Sequence, residues 1–448
     1  MTARGVIVAA PRSGSGKTLL TLGIVAALRA QGVAVAPAKT GPDYIDAAIL
    51  ARTAGRDAVN LDPWAMPTAR LQSLAAEHAA GADLLLVEGV MGLFDGAADG
   101  RGSTADLAAT LDLPVVLVVD AERQSQSVAA LVHGFATWRP QVRIAGVILN
   151  RVATTRHESM LLAALKPVGI PVLGAIPRRD TLALPERHLG LVLPAEVATF
   201  DAVVAAAAEA IASYIDLGTL RSLAAPVGAG PAAAPRLAPL GQRIAIARDD
   251  AFAFRYAHML DDWRAAGAEL SFYSPLGDEA PAGDADAVFL PGGYPELHGM
   301  TLAAAEGFKA GLTAAAARGA LIYGECGGFM VLGRTVTDAA GATHAMTGLL
   351  PLDTSIGNPK RTLGYRRLAH ESPLPWPPLL TGHEFHYSHG RVMGGPTLFA
   401  ATDAAGDTLP PLGARVGRVM GSYAHVIDVA GTRPARIEPG FAVRPRDR

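Results

Sequence analysis

A single cysteine, Cys326, stands in 448 residues. That count excludes an intrachain disulfide and any cysteine-rich metal site, and it singles out one thiol. Net charge is nearly absent too, with 39 Lys and Arg against 41 Asp and Glu. No general attraction to nucleic acid follows from that balance. Long apolar runs are missing: "LPVVLVV" is strand-length, well short of the about 20 residues that span a bilayer. The N-terminus has no basic region followed by an apolar segment and a cleavage site. These absences predict a soluble, cytoplasmic protein with no nucleic-acid or membrane partner. They leave the oligomeric state open, a homodimer included.

Apolar residues are plentiful. Half of the chain is hydrophobic, enough for large cores, and the length predicts two domains. In the first half short apolar runs alternate with helical patterns. Strands are predicted at 5–10, 33–37, 84–88, 115–119, 144–149 and 171–175, an α/β pattern with a mostly parallel sheet. Residues 218–241, "GTLRSLAAPVGAGPAAAPRLAPLG", are rich in Pro, Ala and Gly, lack a period and read as a linker. The alternation then restarts at 243–249, 268–275, 285–293 and 319–328. The predicted division is a domain at 1–217, a linker at 218–241 and a second α/β domain at 242–448.

The segment "APRSGSGKTLL", 10–20, lies between the first strand and a helix predicted from Thr18 to Arg29. Ser13, Gly14, Ser15 and Gly16 let consecutive backbone N–H groups curl around a phosphate, and the helix start adds its own donors. Lys17 would reach the β- and γ-phosphates of ATP and Thr18 would ligate Mg²⁺. One departure is Pro11, where the usual pattern has Gly. Other strand ends release Lys39, Asp43, Asp46, Glu88 and Asp95 as candidate catalytic groups, since strand ends of open α/β sheets face the ligand crevice. Glu88, with Gly89 and Gly92 keeping its surroundings open, is the stronger candidate to hold Mg²⁺, and Asp46 is a second. Asn150 ends a later strand and offers a donor and an acceptor to an adenine edge, though an ordinary Asn turn reads similarly.

In the second half "LIYGECGGFMVLG" is a strand, a sharp turn and a helix, with Cys326 at the turn. This is the pattern of a nucleophile elbow, carrying Cys in place of Ser. The helix start is expected to lower the thiol pKa. Gly327 and Gly293, the latter from "FLPGGYPE", are candidate oxyanion donors. His425 in "GSYAHV" is the candidate base. In "TGHEFHYS" strand alternation puts Glu384 and His386 on one face and His383 on the other, which splits a metal-like cluster.

Together "PRSGSGKT", "KTGPDYID", "VEGVMGLFDG", "FLPGGYPE", "YGECGGFM", "GHEFHYS" and "GSYAHV" resemble the cobyrinic and hydrogenobyrinic acid a,c-diamide synthase family over nearly the whole chain. The first half resembles dethiobiotin synthetase and its P-loop relatives; the second resembles class I glutamine amidotransferase domains. The resemblance implies a Cys326 nucleophile activated by His425, and ATP-dependent amidation of two corrinoid carboxylates with ammonia from glutamine. Small molecules are then the partners. The ordinary class I triad has Glu two residues after the His; this chain has Ile427, so the third member is open. The resemblance also implies a role for "GHEFHYS" near the corrinoid or the face between domains. Two alternatives compete. Cobyric acid synthase shares both domain types, but "GPDYID" and "GHEFHYS" favour the diamide enzyme. Partition-type ATPases carry a Lys where this chain has Arg12, and a scaffold has no use for the cysteine elbow.

Overall fold

The computed structural model describes residues 3–178, 186–187, 190–191, 200–231, 234–357 and 361–431. Residues 432–448, the predicted end of the second domain, lie outside the described residues. Seven strands of the first half are β1 (Arg4–Ala9), β2 (Val35–Thr40), β3 (Val59–Leu61), β4 (Leu84–Glu88), β5 (Val115–Asp120), β6 (Ile144–Val152) and β7 (Val172–Pro177). They form one sheet in the order β3-β2-β4-β1-β5-β6-β7, every neighbour parallel. Residues pointing to either face of β2, β4 and β5 are buried. That is why these strands read as continuous apolar runs. Three residues long, β3 is too short for such a signal.

Helix α1 (Lys17–Ala30) follows β1 and buries Leu20, Leu22, Ile24, Val25 and Leu28. Helix α2 (Tyr44–Ala54) follows β2 and is capped at both ends: Asp43 accepts from Ile45 N and Asp46 N, and Gly55 closes it at φ 65°.

The segment read as a linker is ordered at its start. Leu217–Leu223 is a helix capped by Asp216, and Ala225–Pro226 pairs antiparallel with Arg4–Gly5 of β1. A helix this short has only Leu217 and Leu220 as buried anchors, too few to register as a period.

The second half contributes β8 (Arg243–Ala247), β9 (Glu269–Tyr273), β10 (Ala287–Leu290), β11 (Leu321–Glu325), β12 (Leu379–His386), β13 (Val419–Ser422) and β14 (His425–Val429), with helix α3 (Gly327–Leu332) after β11. A sheet runs β9-β8-β10-β11-β13, all parallel, edged by the antiparallel strand Ala414–Val416. A separate antiparallel sheet of five strands ends in β12 and β14. The sequence reading caught only its "TGHEFHYS" strand.

Among the described residues one of two apolar cores is common to both halves, and the other lies within the second half. The shared cluster runs from Val6 and Ile7 in β1 to Trp376, Leu380 and Ile427. Buried Arg70 of the first half donates through Nε to Asp428 at 3.1 Å and through a second nitrogen to Asp262. Arg236, between the halves, also holds Asp262, at 2.6 Å, and reaches Glu77. Buried ion pairs add little net stability, but breaking one is costly, so this network resists sliding of one half over the other.

Candidate active sites on facing domains

The first site lies at the C-terminal ends of the first sheet. In the loop before α1, Gly14 and Gly16 have φ of 78° and 86°. At Gly16 an added Cβ would also lie 2.3 Å from Asn150 Nδ2. Glycine is therefore required both by the backbone angle and by space. Asn150 Nδ2 donates to Ser15 O at 2.9 Å while its Oδ1 accepts from Arg151 N at 3.0 Å. Asn150, the residue offered to an adenine edge, braces the loop through one amide hydrogen and one carbonyl lone pair, because the end of β6 delivers it directly against Gly16. Arg151 and the exposed Arg12 both pair with Asp120 at the end of β5.

Beside the loop, Glu88 Oε1 accepts from Thr18 Oγ1 at 2.6 Å, Lys39 Nζ at 3.0 Å and Lys17 Nζ at 3.1 Å. Lys39 also donates to Gly89 O at 3.2 Å and to Asp46. The cause is register: Lys39 and Glu88 are partners on the parallel strands β2 and β4. Burial opposes charge on Glu88, yet Lys39 and Lys17 hold its carboxyl down at about 2. Burial lowers the Lys17 pKa, helped by Lys39. Lys39 is also buried, but Asp46 and Glu88 keep it charged well above the ordinary lysine range. Glu88 Oε2 is buried with no hydrogen-bond partner among the described residues. An ionised carboxylate with a free oxygen beside a threonine hydroxyl fits Mg²⁺, which takes few protein ligands and keeps its waters. Asp43 caps α2 through Oδ1, and the exposed Asp95 accepts from Gly92 N at 3.0 Å within its own loop.

The second site is centred on Cys326, between β11 and α3. Its backbone takes φ 46° and ψ −106°, a strained angle for a residue with a Cβ. Cys326 N donates to Ser422 O at 2.8 Å, which pins the turn to β13. The expected thiolate is not favoured in this state. Burial pushes the thiol up to about 12, Glu296 adds repulsion, and only the Gly327 N–H pulls the other way. Helix α3 has six residues, too short to offset desolvation. That Gly327 contact is with one predicted oxyanion donor. The other is adjacent: a Cβ on Gly327 would lie 2.9 Å from Gly293 N.

His425 is completely buried on β14, paired across the sheet with His383 of β12. A Cβ added to Gly292 would lie 3.0 Å from His425 Nε2 and 3.3 Å from Cys326 Cβ, so base and nucleophile flank one point. The Tyr44 hydroxyl, from the first half, is 3.4 Å from His425 Nε2. Its ring stacks on Phe254 at 4.6 Å. Ile427 is buried hydrocarbon. In "TGHEFHYS", Glu384 accepts from Arg366 Nε at 2.5 Å and pairs with His386 at 3.4 Å, while His383 packs edge-on to Tyr365. Among the described residues no group of His, Cys, Asp and Glu is arranged to hold a metal by itself.

Two cavities adjoin. A small one of about 60 Å³ exposes Cys326, Gly293 and Glu296. Burial pushes the Glu296 carboxyl up to about 7. A larger one of about 470 Å³ lies between the halves and is lined by Asp43, Asp46, Met91, Tyr365, Arg366 and His383. Tyr44, Ile45 and Phe385 belong to both walls. Sequence reasoning passed over Tyr44, Glu296 and Glu325. Each lies inside a quoted motif, but its partners come from distant segments.

Residues 6–192 match the CobQ/CobB/MinD/ParA nucleotide binding domain family. Residues 243–431 match the CobB/CobQ-like glutamine amidotransferase domain family. Hydrogenobyrinate a,c-diamide synthase of Brucella suis is 54% identical over 96% of this chain and 99% of its own length. The enzymes of that name from a Sinorhizobium species and Rhodobacter capsulatus are 53% and 50% identical, over 95% of this chain and 99% and 98% of their own. The chain belongs to the hydrogenobyrinate a,c-diamide synthase family. Within it, the nucleotide-binding match covers the phosphate loop and Glu88, and the amidotransferase match covers Cys326 and His425. A scaffold ATPase of the partition type is set aside by this two-part match. Among the described residues no helix is long and apolar enough to cross a membrane.

Proposed function

We propose that this chain amidates the a- and c-carboxylates of hydrogenobyrinate, using MgATP for activation and glutamine as the nitrogen source. The observation that carries the reading is the shared wall. The cavity at Cys326 and the larger cavity between the halves share Tyr44, Ile45 and Phe385 in their walls, and the larger one reaches Asp46, the partner of Lys39. A carboxylate is a poor acceptor for ammonia because its oxygen leaves badly. In the larger cavity one carboxylate oxygen attacks the γ-phosphorus, the bond to the β-phosphate oxygen breaks, and ADP departs. Lys17 and Lys39 offset the charge that develops. When bound, Mg²⁺ supplies further charge neutralisation, with Thr18 and Glu88 as its protein ligands. Asp46 holds Lys39 in place.

In the small cavity His425 takes the Cys326 proton. The sulfur adds to the glutamine amide carbon, with Gly327 and Gly293 N–H groups facing the oxyanion. The His425 proton passes to the departing nitrogen, which leaves as ammonia, and water then hydrolyses the thioester to glutamate. Glu296 faces the α-ammonium of glutamine, the charge that a buried carboxylate needs. Ammonia crosses the shared wall, adds to the acyl phosphate and displaces phosphate. One phosphate loop serves two distant carboxylates, so the ring reorients or rebinds between amidations. We place the enzyme in the cytoplasm, where ATP and glutamine are supplied. A homodimer is the assembly to be tested by light scattering.

The test is a reaction of the purified protein with hydrogenobyrinate, MgATP and either glutamine or ammonium chloride, followed by mass spectrometry. Two added amide nitrogens and two ADP per ring are expected from either donor. Turnover with cobyrinate alone would move the substrate to the cobalt-containing ring, and absence of amidation with both would overturn the reading.

A further inference from the structure

His425 lacks the acid that normally follows it, and its Nδ1 is buried with no hydrogen-bond partner among the described residues. A histidine base needs its far nitrogen held as a donor, so that the nitrogen facing the nucleophile is free to accept a proton. Ile427 cannot do this. Glu384 is committed to Arg366 and His386. Glu296 lines the cavity on the other side of the thiol. Among the described residues, the carboxylate within ion-pair reach of His425 is Glu325, with Oε2 3.6 Å from Nδ1.

Glu325 is the residue immediately before the nucleophile, at the end of β11. Its position is set from two sides. Its backbone is in register with Ser422 on β13. Its Oε1 accepts from the N–H of Val426, the residue after the base, at 3.0 Å. One carboxylate thus holds the strand that carries His425 with one oxygen and faces the ring with the other. Both side chains are buried, 1% and 2% exposed. The groups facing the pair from neighbouring elements are Tyr44, Tyr256, Tyr323, His383 and Cys326. None of these groups is a lysine or an arginine.

We propose that Glu325 is the positioning acid of the glutamine site, the third member of a Cys326–His425–Glu325 set in which nucleophile and acid are consecutive residues. This rests on the reading that Cys326 hydrolyses glutamine. Glu325 orients the ring, keeps a proton on Nδ1 and stabilises the imidazolium that forms when Nε2 takes the thiol proton. An acid placed before the nucleophile needs no residue two places after the base, which accounts for hydrocarbon at 427.

The informative variant is Glu325→Gln. Val426 N–H still requires an oxygen, so the new amide keeps its oxygen there and turns its NH₂ toward Nδ1. The ring proton is then forced onto Nε2, the wrong tautomer for a base. Glutamine hydrolysis should fall by up to about 10⁴-fold in kcat with KM within about two-fold, the pattern of a lost positioning contact. The pH profile of Cys326 alkylation should move, and Glu325→Asp should recover part of the rate. Amidation with ammonium chloride, unchanged from the parent protein, shows that the synthetase site and the cavity between the halves are intact. If the parent hydrolyses glutamine through Cys326 while Glu325→Gln keeps its kcat and alkylation profile, Glu325 has no positioning role and the amidotransferase reading stands. If the parent shows no Cys326-dependent glutamine hydrolysis, both fall.

Discussion

Replacing Gly292 by alanine should disable glutamine use while leaving the synthetase site intact. Gly292 exchanges backbone hydrogen bonds with Phe254, at 2.9 and 3.2 Å, so its Cα cannot retreat. An added Cβ would lie 2.3 Å from His425 Cε1, whereas carbon atoms in contact settle at about 3.5 to 4.0 Å. The imidazole must therefore move by about 1 Å, away from the point it shares with Cys326. A displacement of that size costs about 100-fold in rate when it separates a base from its nucleophile. Overpacking should also cost about 1–3 kcal/mol of stability, a modest loss for a chain with so large a core. The assay compares initial rates of glutamine hydrolysis with rates of amidation driven by ammonium chloride. A variant that hydrolyses glutamine within two-fold of the parent would refute the placement of His425 against Gly292. Equal loss with ammonia would show that the damage reaches the fold.

Cys326→Ala and His425→Asn should each lose glutamine-dependent amidation and keep the ammonia-dependent reaction; loss of both in either variant would place that residue in the synthetase or the fold. Lys17→Ala and Glu88→Gln should fail with both nitrogen donors, by at least about 100-fold, since they act on phosphoryl transfer. Normal ammonia-dependent turnover in either would remove it from that step. Because burial raises the thiol in the resting state, it stays protonated across neutral pH. Alkylation of Cys326 by iodoacetamide should then rise continuously from pH 7 to pH 10, and a plateau below pH 8 would mean a thiolate already formed.

The residues that make local patterns carried much of this protein by themselves. The phosphate loop was legible because a strand, a glycine-rich turn and a helix must be contiguous to bind a phosphate. The cysteine elbow was legible for the same reason. The parallel strands announced themselves because burial of both faces makes them uniformly apolar. Lys39 and Glu88 could be named from their strand ends, but that Lys39 donates to Glu88 Oε1 follows only from the register of β2 against β4. What the folded chain alone decided lies between segments far apart in sequence. Tyr44 reaches His425 across 381 residues of chain. Asn150 is turned to the loop at Ser15 by the end of β6. Glu325 meets its histidine because β13, paired with β11, leads through Tyr423 and Ala424 straight into β14. The thiol pKa follows the same division. A helix start is visible in sequence, but the burial that overrides it is a property of everything packed around Cys326, and no local pattern records how much water the fold will exclude.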